Sequence, residues 1–398
     1  MDAIKYIDSK KTLFLLGWMM LTGIGTLQMQ PVLGGALVDH WGLSLQQMGL
    51  LFGIELIAMA AGCLSAALAA NQHDRRWICQ AGLLILALGS CMSALQPVYG
   101  LLCLSRFISG FGGGVMQGIV YATSVLRTNK DRTYAFTNTI LLLWGAVTIA
   151  LVPQILPVVG IAGVFLTFPG MVLLTLPLTR LIPRTAPSAP TQASVGSGIS
   201  LKPILLLTLF GLLFGGHGVL WVYQERIGNM IGLDGASIGA ILGLSVLSGA
   251  VGATMAGLIG RRISVLVSQL LGFSGAIVAS LIIVYGQSTI AYASAACIVM
   301  AVWFFGLTYL LSYVAECDPS GRLSGLANSA ILIGQGLGPM AAALIVGNGN
   351  FHAVGWLSSL IYLICIAIAL YVIGGRKNGN KTVALSKQST IQERNHVV

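Results

Sequence analysis

The stretch LSRFISGFGGGVMQG, residues 104–118, decides the fold. Its third residue, Arg106, sits inside an apolar run that extends from Val98 to Leu126. A charged side chain at the centre of a lipid-facing helix costs at least roughly 2.5–3.5 kcal/mol. Gly110, Gly114 and Gly118 follow Arg106 at intervals of four, so the four residues share one helix face. Glycines at that spacing let a neighbouring backbone approach closely. The face carrying Arg106 is therefore expected to turn towards protein. A phosphate-cradling loop is the competing reading of GFGGG, and it lacks the strand that must precede such a loop.

Composition sets the surroundings of this stretch. The chain has 398 residues, of which 56% are hydrophobic and 8% charged, with a mean hydropathy of +0.89. Soluble globular chains carry about 25% charged residues, so a soluble fold is excluded. About 20 helical residues cross a bilayer. Twelve apolar runs reach that scale: 12–38, 44–70, 77–96, 98–126, 134–156, 161–182, 203–227, 235–260, 265–286, 289–314, 324–347 and 353–374. None alternates at period two over the roughly ten residues of a barrel strand. The first run is too long for a signal peptide and lacks a small-residue cleavage site. The expectation is an all-α membrane protein of twelve transmembrane helices.

The formal net charge of +10 reflects topology. With the N-terminus placed in the cytoplasm, nineteen of the 21 Lys and Arg fall on inward-facing segments. The two others are Arg226, near the outer end of the seventh run, and Arg106 itself. This is the positive-inside bias, and it places both termini in the cytoplasm without calling for nucleic acid. Seven scattered cysteines, with no CxxC pair, suit packing and support no metal site or cofactor.

The segment PRTAPSAPTQASVGSGISLK, residues 183–202, reads as a flexible cytoplasmic linker. It separates an N-terminal six-helix bundle (1–182) from a C-terminal one (203–374), with a cytoplasmic tail at 375–398. The two bundles are also related. GLSLQQMGLLFGIELIAMAAG (42–62) aligns without gaps on GLDGASIGAILGLSVLSGAVG (232–252), and the same offset carries Asn138 onto Asn328. Parallel six-helix repeats joined by a cytoplasmic linker are a transporter architecture, with the solute held near the midplane between them.

At this point the chain resembles the major facilitator superfamily. RFISGFGGG (106–114) is similar to that family's fourth-helix Arg-x-x-x-Gly-x-Gly pattern. GQGLGPMAAAL (334–344) is similar to its Gly-x-x-x-Gly-Pro motif, with Gly334, Gly338 and Pro339 in register. In many antiporters of the family that motif lies in helix five, whereas here it lies in helix eleven. The loop ALAANQHDRR (67–76) keeps Arg75 and Arg76 of the family's basic end but has Asn71 and Gln72 in place of Asp-Arg. Asp74 is the acidic residue left to make a gating pair there. The resemblance implies a monomeric carrier that moves a small organic solute across a bilayer by alternating access. Compact loops point to a bacterial inner membrane.

Away from the ends of the apolar runs lie three ionisable residues: Glu55, Arg106 and His217. At about 1.5 Å of rise per residue they sit roughly 16, 12 and 12 Å below the outer face. One layer thus holds a carboxylate, a guanidinium and an imidazole, and these are the candidate proton-coupling residues. A carboxylate beside a guanidinium keeps its charge, and one that loses this partner in an apolar setting takes up a proton. A static pair that neutralises two buried charges is the alternative. His217, between glycines, suits either solute contact or packing. Gln28, Gln30, Gln117, Tyr223 and Gln224 are candidate cavity residues. Gly110, Gly114, Gly118, Gly334, Gly338, Pro339, Arg75 and Arg76 are candidates for packing and gating. Asp39, Glu225, Arg226 and Asp234 lie at outer ends, as solvated charge or as gates.

The leading expectation is proton-coupled efflux of a metabolite or drug-like compound. The alternatives are uptake or uniport of an organic anion and, from another class, a membrane enzyme or receptor. No HExxH, GxSxG or paired aspartates support an enzyme, and no P-loop supports an ATP-driven pump.

Overall fold

The computed structural model describes residues 7–70, 72–95, 98–184, 201–318 and 322–374, and all regular structure among them is helical. Most of the expected linker (185–200) and the tail from 375 lie outside the described residues. Thirteen α-helices follow in order: α1 (Lys10–Gln28), α2 (Gln30–Trp41), α3 (Leu45–Ala69), α4 (Arg75–Leu95), α5 (Tyr99–Ser124), α6 (Lys130–Thr175), α7 (Leu201–Trp221), α8 (Gln224–Met230), α9 (Gly235–Ile259), α10 (Val265–Tyr285), α11 (Thr289–Cys317), α12 (Arg322–Val346) and α13 (Phe351–Ala369). Among the described residues, nine helices are long and apolar enough to cross a membrane, or ten when the bent pair α1–α2 is one span. With large apolar side chains such as Leu173, Leu258 and Leu344 facing outwards, the chain is an integral, multi-pass membrane protein.

Several expected runs are single helices, and others are broken in a way that has a local cause. The first run divides at Met29 into α1 and α2, which meet at 49°. Pro31, in the first turn of α2, has no N–H to continue the ladder of α1. The seventh run likewise divides, at the turn Val222–Tyr223 between α7 and α8. The fifth and sixth runs are the two arms of α6. At 46 residues a straight α6 would be about 69 Å long, against roughly 30 Å of hydrocarbon. It is interrupted at Gly160, whose φ of 63° and ψ of 176° suit only glycine. Pro153, Pro157 and Pro169 lie along the same helix.

Helix starts are written in the sequence. Ser44 and Gln47 form a capping box on α3, with Gln47 N–H donating to Ser44 Oγ at 3.1 Å and Ser44 N–H to Gln47 Oε1 at 2.9 Å. Asp234 caps α9 by accepting from the Ser237 N–H at 2.9 Å. The preceding glycines, Gly42 and Gly232, both have positive φ, at 69° and 87°. α3 and α9 therefore start alike and end at the same offset, α3 on Ala70 in helical conformation and α9 on Gly260 with a positive φ, and α4 and α10 keep that offset.

α3 packs along α5, and α7 along α12. Helices preceding residue 183 meet those following residue 200 along two seams, α3 with α12 and α6 with α9. The α3–α5 contact is the closest kind two helices can make. A Cβ on Gly110 would collide with the Glu55 carbonyl, one on Gly114 with the Met59 carbonyl, and one on Gly118 would lie 2.6 Å from the Cys63 carbonyl. Three glycines four apart thus meet three carbonyls four apart. In the other pair, Gly334 and Gly338 of α12 lie on the Gly211 and Gly215 carbonyls of α7. At these five glycines an added Cβ would meet the main chain of the neighbouring helix.

Because Gly114 faces main chain rather than a movable side chain, Gly114→Ala is expected to force α3 and α5 apart. Overpacking of this kind costs about 1–3 kcal/mol. Thermal unfolding of the purified protein should show a clear fall in Tm, whereas Gly170→Ala, with nothing within 4 Å of the added carbon, should leave Tm unchanged.

Candidate functional site

Glu55 and Arg106 are the charges that this seam encloses. Glu55 is 1% exposed and Arg106 0%. Their side chains form a buried ion pair, Arg106 Nη2 donating to Glu55 Oε1 and Nε to Oε2 at 3.3 Å. Thr26 Oγ1, from the last turn of α1, donates to Glu55 Oε1 at 2.9 Å. The Arg106 guanidinium carbon lies 5.2 Å from the ring centre of Phe165 in the second arm of α6, within cation–π range. Four helices thus converge on one pair. Arg106 Nη1 has no protein partner among the described residues. Thr26 and Phe165 are additions that the sequence reading missed. Nothing in spacing marks Phe165, because its side of the contact comes from folding α6 back at Gly160.

The expected layer of three ionisable groups is only partly assembled. His217 forms no hydrogen bond or ion pair with Glu55 or Arg106 among the described residues. It lies between two indoles, 5.4 Å from Trp221 and 4.9 Å from Trp303, with interplanar angles of 28° and 32°. α12 comes between: Gly53 of α3 lies on the Gly336 carbonyl, while Gly218 of α7 lies near Gln335 and Pro339. Equal depth along the chain placed the three together, but depth carries no information about which helices are neighbours.

The glutamines separate into two groups. Gln30 is buried with its Nε2 unpartnered, and Gln117 donates to Tyr121 Oη at 3.3 Å while its Oε1 has no protein partner. Trp144 Nε1 is also buried and unpartnered, and Gln28 packs against Gly145 on the same arm of α6. Tyr223 and Gln224 lie at the break between α7 and α8, where Gln224 Oε1 is also buried and without a protein partner among the described residues. Tyr223 Oη donates to the Leu45 carbonyl at 3.1 Å, and the Gln224 carbonyl accepts from Tyr292 Oη at 2.8 Å. Beside them Arg226 grips both oxygens of Asp39 at 2.7 Å and Glu225 at 2.5 and 2.8 Å. Glu225 rests on Gly35, where a side chain would collide with its carboxylate. Asp39, Glu225 and Arg226 therefore join α2 to α8. Asp234 does not take part; it caps α9, and the Ser237 N–H and hydroxyl hold its carboxyl below the usual range.

At the opposite end, Arg75 is buried and donates to the Ala70 and Ala122 carbonyls at 3.0 and 3.2 Å. Arg76 Nε donates to the Ile182 carbonyl at 2.6 Å. Both tie α4 to its neighbours. Asp74 faces Arg184 at 3.9 Å and accepts from the Arg76 N–H, all on elements before residue 185. Among the described residues it makes no ion pair across either seam.

Removing one partner of a buried pair strands the other charge, at about 3–5 kcal/mol, whereas replacing both with apolar residues is often neutral. Glu55→Ala should therefore lower Tm sharply, and the double variant Glu55→Leu/Arg106→Met should recover most of that loss. Equal Tm for Glu55→Ala and the wild type would show that the pair is not closed.

No curated protein matches the chain at a significant level. Among solved structures, a point mutant of the nucleoside transporter NupG superimposes with a TM-score of 0.70 at 13% sequence identity, over 90% of this chain and 98% of that one. The family model of the Major Facilitator Superfamily matches residues 13–320. With its helical bundle and charged fourth-helix pattern, the chain belongs to the major facilitator superfamily of membrane transporters.

Proposed function

We propose that the protein is a proton-coupled secondary active transporter that exports a small organic metabolite or drug-like compound by alternating access. The observation that carries this reading is the enclosed Glu55–Arg106 pair, reached by four helices and left with one guanidinium nitrogen unsatisfied. In the proposed cycle Glu55 is ionised and held by Arg106 and Thr26 in this arrangement. A shift of α5 against α1 and α3 opens the pair, and Glu55 then takes up a proton because an unpaired charge in an apolar interior is costly.

The layout proposed with it is twelve crossings in two six-helix repeats, 1–182 and 203–374, with both termini cytoplasmic and the chain a monomer in a bacterial inner membrane. The matching starts and caps of α3 and α9, and the two arms of α6, support that count. The basic ends of the helices support the orientation. In it, Asp39, Arg226, Glu225 and Tyr223 seal the outer side, as expected of a carrier that loads its cargo from the cytoplasm. Gln30, Gln117 and Trp144 supply buried groups without protein partners from α2, α5 and α6, which suit a hydrogen-bonding solute. His217, beside two indoles, is a further solute contact in this reading.

A second reading, uptake or uniport of an organic anion, draws on Arg106 Nη1, which a solute carboxylate would satisfy. The two are separated by proton flux. In proteoliposomes with an entrapped pH dye, a panel of organic cations, anions and neutral solutes, nucleosides included, is expected to give a solute-dependent pH change. Glu55→Gln should abolish that change while counterflow of labelled solute continues. Undiminished proton flux in Glu55→Gln would remove Glu55 from the coupling, and solute movement with no pH change in the wild type would favour uniport.

A further inference from the structure

At the basic end of the bundle a pocket of about 350 Å³ opens between the start of α4 and the 3-10 turn Leu176–Leu181. Its floor is polar and fixed, with Gln80 Nε2 donating to Thr179 Oγ1 at 3.1 Å. Arg76, Arg180 and Arg184 rim it, against a single acid, Asp74. Two of these arginines are held by one nitrogen only: Arg76 Nε donates to the Ile182 carbonyl at 2.6 Å, and Arg180 Nε to the Pro177 carbonyl at 2.7 Å. Their terminal amino groups have no protein partner among the described residues. The Asp74 carboxylate is already engaged by the Arg76 N–H at 2.8 Å and lies 3.9 Å from Arg184 Nε. An excess of positive charge, with oriented donors to spare, therefore surrounds a cavity large enough for a phosphate group and its substituents.

The walls say which phosphate. Trp77, at the mouth, is 72% exposed. Leu84 lies two turns further along the same face of α4 and is 57% exposed. From the other side, Leu173 and Leu174 stand one turn below Pro177 at 71% and 62% exposure. A soluble phosphate metabolite has no use for an apolar strip leading away from its site. A phospholipid does, because its head group and acyl chains must be satisfied at once. Arginine is the side chain suited to bidentate phosphate contact, and basic pockets at the cytoplasmic membrane surface bind anionic head groups. An interfacial tryptophan beside such a pocket sits at head-group level.

We propose that this pocket binds the head group of an anionic phospholipid, with its phosphate on Arg76, Arg180 and Arg184 and its acyl chains along Leu173, Leu174 and Leu84. The site is independent of the solute pathway, since it requires neither proton coupling nor a direction of transport. The bound lipid bridges α4 to the end of α6, the junction that the Arg75 N–H to Arg184 carbonyl bond, 2.9 Å, also spans.

The test uses the full chain purified in detergent and titrated with phosphatidylglycerol or phosphatidylcholine, with bound lipid counted by native mass spectrometry. The wild type should bind phosphatidylglycerol in clear preference to phosphatidylcholine. Each basic residue near an anionic head group is worth about a fivefold gain in affinity, so Arg180→Gln/Arg184→Gln should bind about 25-fold more weakly. Both arginines are exposed, so the Tm of the lipid-free variant should match that of the wild type. Trp77→Ala should weaken phosphatidylglycerol binding without making phosphatidylcholine bind. Equal phosphatidylglycerol binding by the wild type and the double arginine variant would overturn the proposal. So would displacement of the lipid by equimolar inorganic phosphate, which would assign the pocket to a soluble anion.

Discussion

The structure depends on how closely α3 and α5 approach. Where two helices are held apart by ordinary side chains, a carboxylate on one and a guanidinium on the other can meet and still leave room for water. Here the backbones touch at Gly110, Gly114 and Gly118. The Glu55 and Arg106 side chains emerge at one end of that contact with essentially no exposed surface. Glycine is what makes this geometry possible, because each added Cβ would meet a carbonyl that belongs to a helix and cannot move alone. The close seam and the buried pair are one feature. Widening the seam would expose the charges, and removing the charges would leave a tight seam with an empty centre.

The same device recurs where α12 lies on α7, through Gly334 and Gly338. Aromatic rings occupy the neighbouring space there, with His217 beside Trp221 and Trp303. The two glycine seams thus define two rigid pairs with different interiors, one ionic and one aromatic. α3 and α12 then meet each other through Gly49 and Gly53, which lie on the Pro339 and Gly336 carbonyls and beside Ala343 and Met340. The seam that joins the two pairs is thus built from the same glycine-on-carbonyl contact as the pairs themselves.

Much of this was legible in the sequence because it follows from local rules. The four-residue spacing of Arg106 and its glycines fixes a helix face whatever the fold, so its inward direction could be read directly. The start of α3 and the bend before α2 are local in the same way: the Ser44 cap, the turn at Gly42 and the missing N–H of Pro31 need no tertiary partner. What could not be read was adjacency. Glu55, Arg106 and His217 share a depth, yet only the first two share a seam, because the α7–α12 contact is set by glycines on both helices at once. Phe165 and Thr26 were invisible for a related reason: an ordinary Phe and Thr acquire their roles only from the neighbours that folding supplies. Tyr223 read as a cavity residue from its helix, but the break before α8 carries its hydroxyl to the Leu45 carbonyl at the start of α3.

The Glu55–Arg106 pair differs from the other buried arginines in what satisfies its charge. Arg75 and Arg127, the other deeply placed arginines, are near an end of the bundle and are satisfied largely by main-chain carbonyls, which do not titrate. Arg106 is satisfied by a carboxylate, and a carboxylate can be neutralised by a single proton. Once that happens the guanidinium has lost its counter-charge in a medium where an isolated charge is costly, and Phe165 and Thr26 cannot replace it. Relief then requires either movement of Arg106 towards water or arrival of a new acceptor. In the proposed cycle a proton on Glu55 is linked in this way to helix position and to solute binding, without any direct contact between proton and solute. In the proposed carrier, that linkage is what separates Arg106 from the bonded arginines at the end of the bundle.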